Sequence, residues 1–531
     1  MTPAGLTTRG VVSAPGASRV TFSASRVNRV IDTLVESNAT KAEVRRRWLS
    51  AVATRVVESR PDIAPALLDV LGVGSHEHDH LKGLTIGEVS VCYEALLSEL
   101  DRDHRKSSGQ FFTPDDAAMF MARQSASFGA GIWLDPCCGV GNLAWHLAGE
   151  QNDPGEFVRE RLVLIDRDET ALKSAIALIA ADYVAEGDQD GVRMLAAKAL
   201  PRDFLARSAL PAHDFMILNP PYARAEEKVG YETAHCRDLF AYFMERVART
   251  SHGYIAVTPA SYLSAPKFQP LRNVIDRESG GGDIYVFDNV PDTLFRGYKF
   301  GSNNTSKTNF VRAAVTVCKP DSVRWRLTPI IRWQASARAS MFKECGTLLA
   351  PRRLGPHGEW AKLGPGLERV WDALLLESSK IQDLVTSEVT EYKLDVGLTP
   401  RYFISATQRT LNRGSKATLF FRSIEDRDRA AVVLNSSVPY LWWRALDGGV
   451  TLPRRVLMSV PVPPIDKLDP SLIERLRASE DENLVIKLNA GRVNENVKHP
   501  EDLVRALNDV VLPNGGDLRL LYANSMFPLA E

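Results

Sequence analysis

Apolar residues recur every three or four positions through most of the first hundred residues of the chain. The runs RVNRVIDTLVES, AEVRRRWLSAVATRVVE and GEVSVCYEALLSEL all show this spacing, which is typical of amphipathic helices. Residues 1–25 are instead rich in Ser, Ala, Thr and Gly and show no periodicity. We therefore predict a loose tail over residues 1–25 and a helical region over residues 26–108 that caps the segment after it.

Short apolar runs alternate with helical patterns between residues 109 and 322. The runs GIWLDP, RLVLID, DFMILNPP, YIAVTP, DIYVFD and FVRAAVTVCK are typical of buried strands, and ALKSAIALIAADYVA and LFAYFMERVA are helical patterns between them. This alternation predicts an α/β fold, in which a doubly wound, Rossmann-like, mostly parallel sheet binds ligands at the carboxyl ends of its strands. The last two runs are predicted to form an antiparallel hairpin at one edge.

The alternation weakens after residue 322, where we place a second, mixed α+β domain over residues 323–531. The runs ATLFFRS and RVLMSVPVPP are predicted as isolated strands, and Trp442 and Trp443 as core residues. Between Leu398 and Arg455 ten basic residues stand against four acidic ones, a local excess of six positive charges. Contacts with a phosphate backbone require such a patch.

Composition narrows the class of protein further. The 65 basic residues balance the 65 acidic ones, so a polyanion would have to bind a local patch rather than a globally basic surface. Six cysteines without a CxxC pair argue against a disulfide framework or a zinc finger. The histidines of SHEHDH are predicted to be solvated, and we expect no metal. Since no apolar stretch of about 18 residues occurs, we expect a cytoplasmic protein that spans no membrane.

A glycine turn follows the first predicted strand, in LDPCCGVGN (134–142). Gly139 and Gly141 would let the backbone approach a ligand closely. The next strand ends in Asp166, and an acidic side chain there can accept hydrogen bonds from both ribose hydroxyls. Because the turn lacks a third glycine and a cluster of phosphate donors, a nucleoside without pyrophosphate fits it better than NAD. S-adenosylmethionine is such a ligand.

A rigid corner, Asn219-Pro220-Pro221-Tyr222, ends the strand DFMIL. The prolines stiffen the turn and present carbonyl oxygens without competing N–H donors. The Asn219 side-chain oxygen and a nearby backbone carbonyl can together accept both hydrogens of one planar NH2 group. Polarising both N–H bonds would localise the nitrogen lone pair toward a methyl donor, while Tyr222 offers a flat face to an aromatic ring.

The order of these motifs resembles the gamma class of N6-adenine DNA methyltransferases of restriction-modification systems. It comprises GQFFTP (109–114), LDPCCGVG (134–141), LIDRD (164–168), NPPY (219–222) and GYIAVTPASYL (253–263), and the resemblance covers roughly residues 85–320. It implies methyl transfer from S-adenosylmethionine to an adenine flipped out of double-stranded DNA. It also implies a C-terminal target-recognition domain, no metal, and a separately encoded restriction endonuclease as a further partner.

The resemblance assigns roles to residues as well. Asn219 and Pro220 would hold the target amino group and Tyr222 would stack on the target base. Phe295, or alternatively Phe300, would stack on the far side of that base. Arg401 and Tyr402, in GLTPRYFI, would face DNA.

Contacts with the cofactor are implied along the whole catalytic segment. Asp203 is implied as the residue that recognises the adenine of the cofactor, and Lys198 is the alternative for that position. The implied cofactor contacts are Phe112, Thr113, Pro114, Asp135, Cys137, Gly139, Gly141, Asp166, Asp203, Asn219 and Leu239.

Two other functions remain open at this point. The NPPY chemistry also serves enzymes that methylate a protein glutamine or a guanine of ribosomal RNA, although these usually lack a recognition domain of about 200 residues. Alternatively, the chain could be a DNA-binding subunit of a defence complex that has lost methylation activity. A fused nuclease is not expected, because the helical N-terminal region is small and poor in strands.

Overall fold

The computed structural model describes most of the chain and divides it into two compact units. It describes residues 24–35, 39–76, 78–100, 113–295, 311–400, 402–465, 468–489, 491–512, 518–523 and 526–528. The first unit holds the described residues up to 327 together with 331–351, and the second holds 328–330 and those from 352 onward. The described part of the region predicted as helical over residues 26–108 therefore shares the first unit with the sheet, and that unit extends beyond residue 323, where the sequence pattern places the start of the second domain.

Helices open the first unit, as the hydrophobic spacing predicts. Thr40 starts the second helix with a capping box, in which its side chain accepts from Glu43 N–H and the Glu43 carboxylate accepts from Thr40 N–H. The helices of the unit are α1 (Ala24–Leu34), α2 (Lys41–Ser59), α3 (Ala64–Leu71), α4 (Ile86–Leu100), α5 (Asp115–Arg123), α6 (Asn142–Gly149), α7 (Pro154–Glu156), α8 (Glu169–Tyr183), α9 (Gln189–Ala197), α10 (Leu239–Thr250), α11 (Gln269–Glu278) and α12 (Arg338–Glu344).

One mixed sheet forms the centre of this unit. Its strands are β1 (Trp133–Asp135), β2 (Leu162–Asp166), β3 (Ala199–Pro201), β4 (Phe215–Leu218), β5 (Gly253–Pro259), β6 (Gly282–Phe287), β7 (Ala313–Cys318), β8 (Trp325–Trp333) and β9 (Ala350–Pro351). They lie in the order β3-β2-β1-β4-β5-β7-β6-β8, and β9 pairs with β8. Strands β1 to β5 are parallel, whereas β7 runs antiparallel to both β5 and β6.

This topology confirms the predicted doubly wound, Rossmann-like α/β core. Strands β1 and β4 are buried along their whole length, which explains why the sequence shows them as continuous apolar runs. The predicted edge hairpin is corrected in one respect: β6 and β7 do pair antiparallel, but β7 lies between β5 and β6, and β8 continues the sheet beyond β6. The chain order reverses at β1, between β2 and β4, where ligands bind in open α/β sheets.

The second unit mixes helices with short antiparallel strands, as predicted. Its strands are β10 (Arg353–Leu354), β11 (Trp360–Ala361), β12 (Val385–Thr386), β13 (Lys393–Gly397), β14 (Ala406–Thr407), β15 (Lys416–Phe421), β16 (Leu484–Asn489), β17 (Arg492–Val497) and β18 (Met526–Phe527). Its helices are α13 (Glu368–Leu376), α14 (Ile381–Leu384), α15 (Ile424–Asn435), α16 (Val438–Leu446), α17 (Arg454–Met458), α18 (Pro470–Glu482), α19 (Glu501–Val511) and α20 (Leu520–Ala523). Four of the strands form a sheet in the order β12-β15-β13-β14.

Two expectations for this unit can be compared with the structure. Trp442 and Trp443 are buried core residues, as predicted, and the Trp442 ring stacks on Trp371 with centroids 4.8 Å apart. The predicted strand RVLMSVPVPP is wrong, because its first half forms the short helix α17. Val456 and Leu457 of that helix face the core, so their apolar character reflects burial on a helix and not on a strand.

Among the described residues, no helix combines the length and the apolar character needed to cross a bilayer. Nor do the described His, Cys, Asp and Glu side chains form a cluster of three or more that could hold a metal ion.

Candidate active site

The glycine turn after β1 owes its shape to two left-handed residues. Gly139 has φ +54° and Gly141 has φ +92°, values that L side chains rarely adopt. A Cβ on Gly141 would also lie 3.0 Å from the Ala175 Cβ and the Ile179 Cδ1 of α8, whereas a Cβ on Gly139 would meet nothing within 4 Å. Gly141 therefore lets α8 pack against the turn, and Gly139 is the glycine that leaves open space above it.

Asp135 ends β1 beneath this turn and is fully buried. Its Oδ1 accepts a hydrogen bond of 3.2 Å from Cys137 N–H. Its Oδ2 is buried without a hydrogen-bond partner among the described residues. Burial raises the pKa of this carboxyl to about 8, so it is largely protonated at neutral pH. A buried oxygen of this kind is a site at which a ligand donor would bind.

Asp166 joins the turn to the neighbouring strand. Its Oδ2 accepts from Gly139 N–H at 2.8 Å and its Oδ1 accepts from Asp168 N–H at 2.8 Å. Burial raises the pKa of the Asp166 carboxyl. Each carboxylate oxygen keeps a further lone pair, so Asp166 can bind these amides and still accept from two hydroxyl groups.

The N-terminal helices support the loop that carries Asp166. Arg45 of α2 binds the Asp168 carboxylate through two hydrogen bonds of 2.9 and 3.1 Å, and the Tyr93 hydroxyl of α4 donates to it at 2.8 Å. Asp168 in turn caps α8 by accepting from Thr170 N–H at 3.0 Å. The predicted helical cap is thus bonded directly to the β2–α8 loop.

Of the two residues predicted as alternatives, Asp203 and Lys198, only Asp203 lies at the carboxyl edge of the sheet. Pro201 pairs with Asp166 across β2 and β3, and Arg202 N–H donates to the Asp166 carbonyl at 3.0 Å. Asp203 follows directly, is exposed, and lies at the same carboxyl edge of the sheet. Lys198 lies at the opposite end of β3, where its ammonium donates to the Val158 carbonyl at 3.2 Å.

The Asn219 corner is bonded to the segment that precedes α5. The Asn219 Nδ2 donates to the Thr113 hydroxyl at 2.9 Å, and the Asn142 Nδ2 donates to the Thr113 carbonyl at 2.7 Å. Because β1 and β4 are parallel neighbours, Cys137 also reaches this corner, and its thiol donates to the Asn219 carbonyl at 3.5 Å. The Asn219 amide thereby directs its NH2 group at Thr113 and its oxygen to the other side.

Tyr222 is positioned by β5 and by two aromatic neighbours. Its hydroxyl donates to the Val257 carbonyl at 2.8 Å. Its ring meets Phe295 edge to face with centroids 5.8 Å apart, and it meets Phe240 at 6.2 Å. A base stacked on both Tyr222 and Phe295 would need roughly 6.8 Å between the rings, twice the 3.4 Å rise of stacked bases. At 5.8 Å the two rings lie too close together for a base to fit between them in this arrangement.

The remaining predicted positions fall into two groups. Pro114 is the residue directly before α5. Leu239 begins α10, and its N–H donates to the Ala223 carbonyl, one residue past Tyr222, at 2.9 Å. Phe112, Phe300 and Arg401 lie outside the described residues. Tyr402 is half-exposed in the loop between β13 and β14 of the second unit.

The second unit retains only part of the predicted basic patch. Arg413, Arg427 and Arg444 are buried, and the Arg413 guanidinium donates to the Thr399 hydroxyl at 2.6 Å. The Lys416 ammonium lies 2.7 Å from the Asp395 carboxylate. The exposed described members are Arg409, Arg422, Arg454 and Arg455. The sequence count therefore overstates the positive charge that this unit exposes, since side-chain burial is not visible in a count.

Sequence reasoning missed Asn142, the residue that holds the Thr113 carbonyl. A signal for it exists, because Asn142 is the one polar residue in the first turn of the otherwise apolar helix start NLAW. It also missed the buried Arg338, which binds two backbone carbonyls and a carboxylate.

Comparison with known proteins finds a family model that matches the part of the chain that holds these residues. Residues 85–237, which include the glycine turn, Asp166 and Asn219, match the family described as N-6 DNA Methylase. This match confirms the predicted resemblance to restriction-modification N6-adenine DNA methyltransferases. The chain is 23% identical over 240 residues to the Type II methyltransferase M.PstI of Providencia stuartii, an alignment that covers 42% of this chain and 46% of M.PstI. The chain thus spans about half the length of the curated relative it matches.

Solved structures show lower similarity. A type I restriction-modification methyltransferase subunit from Streptococcus thermophilus shares 15% identity with a TM-score of 0.32, covering 57% of this chain and 67% of that one. DrdV in a complex with DNA shares 12% identity with a TM-score of 0.39, covering 63% of this chain and 44% of that one.

Proposed function

We propose that the protein is a site-specific DNA adenine N6-methyltransferase, because residues 85–237 match the family described as N-6 DNA Methylase. Its methyl donor would be S-adenosylmethionine and its substrate an adenine flipped out of double-stranded DNA. We further propose that it acts in a restriction-modification or related defence system, alongside a separately encoded endonuclease. The similarity of the chain to M.PstI, a Type II methyltransferase, supports this context.

The observation that carries the proposal is the junction between the Asn219 corner and the glycine turn. Cys137 of the turn donates to the Asn219 carbonyl, and Thr113 accepts from the Asn219 side chain. A group held by Asn219 therefore lies next to the place where a ligand would rest on the turn. Methyl transfer requires such proximity of the two reactants.

The residues present fit S-adenosylmethionine. Asp135 offers a buried oxygen without a partner among the described residues, Asp166 retains lone pairs for two ribose hydroxyls, and Gly139 leaves open space above the turn. Asp203, which is exposed at the same edge of the sheet, would accept from an adenine amino group. When bound, the donor would supply a methyl group that a sulfonium already activates.

The chain itself would hold and polarise the target base. The Asn219 side-chain oxygen and the Pro220 carbonyl would accept the two hydrogens of the adenine amino group, which draws its nitrogen toward tetrahedral geometry. Each of these hydrogen bonds contributes to the rate only as far as it is stronger in the transition state. Tyr222 and Phe295 would stack on the base, and water would take the released proton.

Methylation of unmodified bacterial DNA with labelled S-adenosylmethionine, followed by nucleoside analysis, tests the proposal. We expect label in N6-methyladenine. Label in protein glutamine or in ribosomal RNA, tested with the same preparation, would contradict the proposed substrate. Absence of label in all three, while the protein binds DNA, would indicate an inactive DNA-binding subunit.

The DNA surface is expected to involve Arg401 and Tyr402 together with the exposed basic residues of the second unit. Replacing Arg401, Arg422 and Arg454 with alanine should reduce the slope of log K against log salt by about 1 for each phosphate that is no longer neutralised. Arg353→Ala is the matched control, because Arg353 is bound to Asp372 at 2.9 Å. Filter binding or fluorescence anisotropy between 50 and 300 mM salt (roughly the range over which such slopes are resolved) measures it. An unchanged slope in the triple variant would place the DNA surface elsewhere.

A further inference from the structure

Arg338 is a buried arginine at the start of α12, with 4% of its surface exposed. Its Nη1 donates to the Thr293 carbonyl at 2.8 Å and its Nη2 to the Leu294 carbonyl at 2.9 Å. These are the two residues that precede Phe295. Its Nε and Nη2 also bind the Asp116 carboxylate at 2.5 and 2.9 Å. The planar guanidinium thus binds two backbone carbonyls and one carboxylate at once, a geometry that lysine cannot reproduce.

The partners of Arg338 lie close in sequence to residues of the proposed active site. Asp116 lies in the first turn of α5, three residues after Thr113, which holds the Asn219 amide. Leu294 is followed by Phe295, whose ring meets Tyr222. Arg338 therefore connects the segment on the cofactor side with the aromatic residue on the side of the target base.

The segment before Phe295 has further anchors. The Trp333 indole donates to the Asp292 carboxylate at 3.0 Å, and the Arg338 Nη1 lies 3.8 Å from the same carboxylate. Asp288, at the beginning of the segment, is paired with Arg332 at 2.9 Å. These contacts hold the segment at residues 288, 292, 293 and 294, directly before Phe295.

We propose that Arg338 is a positioning residue that fixes the backbone before Phe295, so that this ring opens from Tyr222 by side-chain rotation and then closes on the extruded base. The inference rests on the proposed function. Its physical basis is preorganisation: because the backbone before Phe295 is already fixed, this segment loses little conformational freedom when the base enters.

The first test needs no enzymatic activity. Hydrogen exchange followed by mass spectrometry is expected to show exchange at least about tenfold faster in peptides that cover residues 289–295 of Arg338→Lys than in the parent. Arg272→Lys is the matched control, since Arg272 is equally buried and donates to the Tyr262 and Ala265 carbonyls instead. Exchange in residues 289–295 that equals the parent rate, or that rises only as part of a global increase, would overturn the proposal.

The second test uses the methylated sequence, mapped by the nucleoside assay, with 2-aminopurine at the target position. Arg338→Lys is expected to reduce kcat and the fluorescence increase on binding by about tenfold, while the cofactor Kd changes by less than about twofold. Asp116→Asn changes a half-exposed carboxylate and should show the same pattern more weakly. It tests the same contact if Arg338→Lys does not fold. Equal loss of extrusion in Arg272→Lys would contradict the assigned role. Absence of methylation by the parent would refute the proposed function alone, because the exchange experiment still decides whether Arg338 holds this segment.

Discussion

Asn219→Ala is expected to slow methyl transfer by about 10²–10³-fold while cofactor affinity stays within about twofold of the parent, as for loss of one preorganised hydrogen-bonding group. The alanine removes the oxygen that would accept an amino hydrogen, and it removes the bond to the Thr113 hydroxyl. Asp135, Asp166 and the glycine turn are left in place. Single-turnover methylation measures the rate, and calorimetric titration with S-adenosylhomocysteine measures the affinity.

Two further variants separate chemistry from folding at this corner. Asn219→Asp keeps an acceptor oxygen and can accept the Thr113 hydroxyl proton, so it should lose less activity than Asn219→Ala. Asn152→Ala, in an exposed turn, controls for the substitution itself. A near-normal rate for Asn219→Ala would show that the catalytic assignment is wrong. A parallel loss of cofactor affinity would make Asn219 a binding residue instead.

The sequence predicted the sheet and the ends of its strands well, because both depend on local patterns. Buried parallel strands appear as short apolar runs, and the polar residues Asp135, Asp166 and Asn219 mark the points where three of them end. Since the carboxyl ends of parallel strands share one edge, residues far apart in sequence could be placed together without knowledge of any contact.

The parts that depend on side-chain partners could not be predicted in this way. The position of β7 between β5 and β6 follows from pairing over long sequence distances, which a single apolar run does not encode. The basic patch was overestimated because Arg413 and Arg444 bind inside the second unit. Arg338 was missed because its partners include backbone carbonyls, and carbonyls leave no trace in the residue pattern.

Asp135→Asn is expected to stabilise the protein at pH 8 and at the same time weaken cofactor binding. Burial raises the pKa of Asp135 to about 8 from an unfolded value of about 3.9. Between these pH values the folded state keeps a proton that the unfolded state has released, so the free energy of unfolding falls as pH rises. The slope is at most about 1.4 kcal/mol per pH unit for one group. The amide keeps the shape of the side chain and carries no charge, so this slope disappears.

Chemical denaturation of the cofactor-free protein at pH 5.5 and pH 8 measures the effect. Asp135→Asn should exceed the parent by about 1–3 kcal/mol at pH 8, with a smaller difference at pH 5.5, and should bind S-adenosylhomocysteine about tenfold more weakly. Asp62→Asn is a control for which we expect the opposite change in the free energy of unfolding, because the Arg60 guanidinium holds the pKa of the Asp62 carboxyl well below its usual range. That substitution should destabilise the protein at both pH values. Burial also raises the pKa of Glu94 to about 8. The free energy of unfolding of Asp135→Asn therefore still falls as pH rises, because Glu94 is unchanged in that variant. If the difference between Asp135→Asn and the parent does not change with pH, the buried carboxyl does not hold a proton, and the stability cost assigned to Asp135 is wrong.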